Sequence, residues 1–144
     1  MIPNNVVKAA IVAETKLVPN LVSGSATTSL PDGTQGIRET NWRGDEFHYP
    51  NVRISLENQT DATPDSNCTP VFQDWSIYVF SEVHSSYQCD EIAGMIVVYF
   101  KGRNFSSNGV KFVRVEILEN IPAIQEDPNT WRAQIRCRSI VHEL

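Results

Sequence analysis

Three cysteines (Cys68, Cys89, Cys137) and three histidines (His48, His84, His142) are the side chains best suited to covalent or metal chemistry. Cys89 with His84 would supply a thiolate nucleophile and its base. Yet Cys89 shares a helical spacing with Ile92, Ala93, Ile96, Val97 and Phe100. A thiol on such an apolar stripe behaves as a small hydrophobe. Cys137 alternates with Ile135 and Val141 and reads as core, whereas Cys68 lies in a polar stretch. No two candidate ligands share the short spacing of a metal site. The HExxH, CxxC, GxSxG, GxGxxG and P-loop patterns are all absent. The reading is therefore a non-enzyme with no catalytic residue, no metal ligand and no cofactor. A small cysteine-dependent enzyme is the rival class, marked by a reactive Cys89 thiol at neutral pH.

Two groups suit recognition better than catalysis. Arg132, Arg136 and Arg138 fall on one side of a strand pattern, as a basic face for a phosphate or an acidic partner, or as its solvated side. Trp42, Arg43, Phe47, His48 and Tyr49 combine the aromatic and guanidinium groups enriched at interface hot spots. A loop folded over the domain's own core has the same composition. A host-side adaptor domain that takes peptides on a sheet edge is a further non-enzymatic alternative.

The elements that would position these groups follow from periodicity. Residues 4–18 read as a helix with Val6, Val7, Ala10, Ile11 and Leu17 near one face, and Lys8, Glu14 and Lys16 elsewhere. Pro19 halts it. Residues 19–49 and 58–70 read as long loops, rich in small polar residues, glycine and proline. Between them, Val52, Ile54 and Leu56 alternate with Arg53, Ser55 and Glu57 as a strand with one wet face. Residues 71–82 form a second, more central strand. Residues 86–100 form an amphipathic helix, with Ser85 and Gln88 at capping-box spacing and Gly102 placed to end it. Strands at 111–119 and 130–142 close the chain. The order α-β-β-α-β-β predicts an α+β fold. Its sheet is mostly antiparallel (mixed), of four or more strands, with two helices packed on one face. We expect a single domain over 1–144.

Size and charge bound the function. The 144 residues suit one core, and 12 basic against 17 acidic side chains leave a net charge of −5. That argues against a general nucleic-acid binder or a protein held on anionic lipid. No run of apolar residues is long enough to span a membrane. The start shows no leader pattern, and with the odd cysteine count this suggests synthesis in a reducing compartment. Three glycosylation triplets, at Asn58, Asn67 and Asn104, then carry no meaning.

The order of elements and several local stretches resemble the tail terminator (tail completion) proteins of long-tailed bacteriophages. The similarity runs through the helix around Val6–Leu17, then Tyr49-Pro50-Asn51-Val52-Arg53-Ile54 entering a strand. It continues through Trp75-Ser76-Ile77-Tyr78-Val79-Phe80-Ser81, the turn and helix Ser85–Phe100, and the two C-terminal strands. It spans roughly residues 4–142 and rests on pattern rather than on a signature motif. The resemblance implies a structural virion protein: a homo-hexameric ring on the head-proximal end of the tail tube. Such a ring ends tube polymerisation and joins tail to neck. Its implied partners are itself, the tube protein, a neck or connector protein and, in a contractile tail, the sheath. DNA only passes through the lumen, and no membrane is involved. The implied location is the tail or neck of the virion, after assembly in the host cytoplasm. Another neck or head-completion ring is the nearest alternative. Six copies would carry about −30 charges, and if some of that lines the lumen, phosphates are repelled and DNA slides through.

Overall fold

The computed structural model describes residues 2–19, 21, 36–39, 50–61, 70–82 and 86–144. Its elements are α1 (Asn4–Thr15), β1 (Ile37–Glu39), β2 (Asn51–Asp61), β3 (Val71–Ser81), α2 (Tyr87–Phe100), β4 (Phe105–Ser107), β5 (Val110–Asp127) and β6 (Thr130–Glu143). The strands form one six-stranded sheet in the order β1-β2-β3-β6-β5-β4. Among the described residues only the β1–β2 pair is parallel; the other pairs are antiparallel. The fold is α+β with a mixed sheet, as the alternating patterns predict.

The order differs from α-β-β-α-β-β by two three-residue strands, β1 and β4. β1 falls inside the expected 19–49 loop, and β2 runs on to Asp61, inside the expected 58–70 loop. Strands of three residues carry too few alternations to register as a period. β2 outlasts its apolar alternation because a bulge between Leu56 and Asn58 shifts the phase by one residue. β5 likewise extends well past 119, through four register irregularities.

On the core face, Trp75, Ile77 and Val79 of β3 stand between Leu56, Ile54 and Val52 of β2 and Cys137, Ile135 and Ala133 of β6. α2 packs against β3, β5 and β6, burying Cys89, Ile92, Ala93, Ile96 and Phe100, with Val97 half-buried. Trp75 meets Phe100 edge-on at 5.5 Å, and Phe105 stacks on Phe112 at 4.4 Å. Fully burying such side chains contributes about 1.5–3 kcal/mol each, before ordering entropy. α1 touches β1 and β4, strands from both margins, so the sheet curls.

Local expectations fail at three side chains, Leu17, Glu14 and Arg53. The N-cap of α2 is Ser86, with no side-chain capping bond, and Ser85 of the expected capping box with Gln88 lies outside the described residues. Asp90 instead accepts the backbone N–H of Ala123 on β5 at 2.8 Å. Leu17 is 63% exposed because α1 ends at Thr15 and its apolar phase ends there too. Glu14 is buried, its Oε1 accepting from Tyr99 Oη and Arg103 Nε at 2.7 Å each. Arg53 is buried rather than wet, its Nη1 donating to the Gly36 carbonyl beside β1 and to the Val52 carbonyl.

Candidate functional surface

The sheet face opposite the core carries the arginine row, because odd and even residues of a strand point to opposite sides. Arg138 stands opposite Asp74, Arg136 opposite Ser76, Gln134 opposite Tyr78 and Arg132 opposite Phe80. Arg138 grips Asp74 with two bonds, Nε–Oδ1 at 2.6 Å and Nη2–Oδ2 at 3.1 Å. Arg136 spans two neighbours: it meets both oxygens of Glu57 on β2 and bonds Glu119 on β5. Arg132 pairs with Glu126 at 3.4 Å and lies 5.7 Å from the Tyr78 ring centre. Ser76 donates to Glu57 and accepts from Gln134 Nε2 at 3.2 Å.

These contacts set the electrostatics. Burial raises the Glu57 carboxyl, but hydrogen bonds from Arg136 and Ser76 outweigh it and hold it below its ordinary value. Hydrogen bonds to Glu57 and Glu119 raise Arg136, and those to Asp74 raise Arg138. Arg136 and Arg138 therefore stay protonated. Three guanidinium groups face Glu57, Asp74, Glu119 and Glu126, and Glu116 stands opposite Arg138. Five carboxylates thus stand around these three guanidinium groups. Sequence reasoning singled out the arginines and missed their partners. Glu57, Asp74, Glu116 and Glu119 sit at outward positions of other strands, a signal that becomes useful only once pairing is known.

The two described thiols, Cys89 and Cys137, are both buried. Cys89 is buried, with Sγ 3.1 Å from the Val79 carbonyl, and burial pushes its pKa up to about 11. Cys137 is buried on β6, and burial, then the Glu57 charge, raises its pKa as well. Among the described residues no three His, Cys, Asp or Glu side chains gather as a metal site. Nor, among them, is any helix long and apolar enough to cross a membrane. His142 lies on β6; Cys68, His48, His84 and the proposed interface Trp42, Arg43, Phe47, His48 and Tyr49 lie outside the described residues.

A second surface lies on α1. Lys8, Ala9, Val12, Lys16 and Leu17, with Arg38 of β1, line a shallow groove with an apolar floor and basic rim.

No protein-family model and no curated protein sequence matches the chain. Its fold does match a solved structure. A chain of the virion of a native gene transfer agent (GTA) particle superposes with a TM-score of 0.72 at 18% identity. The match covers 94% of this chain and 93% of that one. The two share a fold over nearly their whole lengths.

Proposed function

We propose that the chain is a structural component of a phage-like virion, and within it the tail terminator. In this reading six copies form a ring on the head-proximal end of the tail tube, stop its growth and present the neck with a surface. The carrying observation is the fold shared end to end with a chain of a gene-transfer-agent virion. The elements that first suggested a tail terminator, α1, β2, β3, α2, β5 and β6, are all present. One ring face matches the tube end and the other does not repeat it, so no further tube subunit finds a site. A contact between unlike surfaces closes into a ring without any two-fold patch.

The test is particle mass with and without purified tail tubes, followed by electron microscopy. Rings that cap one tube end and prevent its extension are expected. A strict monomer that never binds tubes would overturn the reading. The neighbour is a whole virion, which also supports a second position, a neck or head-completion ring. Binding to portal complexes rather than tubes selects that one.

A further inference from the structure

The two margins of the sheet carry opposite chemistry. At the β1 margin, the α1 groove has Ala9, Val12 and Leu17 as its apolar part and Lys8, Lys16 and Arg38 around it. In a chain of net charge −5, that is a local concentration of positive groups beside exposed hydrocarbon. At the other margin, β4 covers β5 only from Val110 to Phe112. Among the described residues no strand covers the outer edge of β5 from Glu116 onward. That stretch exposes Leu118 (40%) and Ile124 (48%) beside Glu116, Glu119 and Glu126. Three strands, β2, β3 and β6, separate the two margins.

We propose that the α1 groove receives the distal β5 edge of a neighbouring copy of this chain. Leu118 and Ile124 cover the apolar floor, and Glu116, Glu119 and Glu126, the last two keeping one oxygen on Arg136 and Arg132, face Lys8 and Lys16. The contact is made by side chains, because the irregular register of β5 and Pro122 oppose a continuous backbone ladder. It joins unlike surfaces, so it propagates head to tail. The inference rests on the ring reading above and assigns the surfaces that build that ring.

The experiment uses the full chain and particle mass over a concentration series. One variant reverses the groove (Lys8→Glu with Lys16→Glu); another reverses the edge (Glu116→Lys with Glu126→Lys). Each alone is expected to raise the half-assembly concentration by about tenfold or more. Their equimolar mixture is expected to restore assembly, because in an alternating ring every contact again pairs opposite charges. Circular dichroism checks folding. Leu118→Ser with Ile124→Ser weakens assembly without touching any ion pair. If wild type assembles and these variants assemble equally well, the proposed contact is wrong while the ring stands. If wild type assembles neither alone nor on tubes, the ring reading fails and this contact falls with it.

Discussion

At the scale of single residues, environment overrules identity. Arg132, Arg136 and Arg138 are outward cations whose partners come from β2, β3 and β5, some 6 to 79 residues away in sequence. Exposed pairs of this kind contribute little to stability, so their main effect is to fix side-chain positions and set local charge. Glu57 gives a pH signature. Its folded value lies below the unfolded 4.5, so its contribution is full above pH 4.5 and lost as pH falls through the lower folded value. Glu57→Gln is expected to flatten that part of the acid-unfolding profile, measured by urea midpoints across pH. An unchanged profile would mean the Arg136 pairing adds nothing in solution. Cys89 and Cys137 are expected to resist iodoacetamide at pH 7 while folded and to react once urea exposes them, as read by peptide mass mapping. Fast labelling of folded Cys89 would revive thiol chemistry. The cysteine placement was legible because both thiols sit in clean apolar periods. Glu14 was not, since its burial depends on Tyr99 and Arg103, 85 and 89 positions away.

At the scale of elements, long periods read well and short or bulged ones do not. α2 was legible because its apolar stripe persists for three turns, and β6 because its alternation is unbroken. β4 was missed, although Asn108-Gly109 is a strong two-residue hairpin signal. Both residues have positive φ, 53° and 83°, as a mirror-image turn requires. Arg114 (φ 51°) marks the first bulge of β5, its N–H donating to Asn104 Oδ1 at 2.6 Å. Two glycine substitutions separate backbone from packing. Gly109→Ala is expected to cost about 1–2 kcal/mol, because an L-residue is strained in the left-handed region. Gly94→Ala, inside α2 where an added Cβ meets nothing within 4 Å, is expected to stabilise by about 0.5–1 kcal/mol. Urea unfolding reads both; equal signs would show that some other effect dominates.

At the scale of the whole molecule, the fold class came from the order of patterns, while the curl and the margins of the sheet came only from long-range pairing. Net charge constrains what the assembled protein does with nucleic acid. At −5 per chain, the protein is expected not to retain duplex DNA of any sequence at about 0.15 M salt. A mobility shift under those conditions would contradict free passage through a lumen. The irregular edge of β5 has a consequence for the subunits before they assemble. Stacking of identical strands into fibrils needs long stretches in phase, and four register irregularities with one proline leave only short ones. A single chain therefore offers little continuous edge on which amyloid could be seeded.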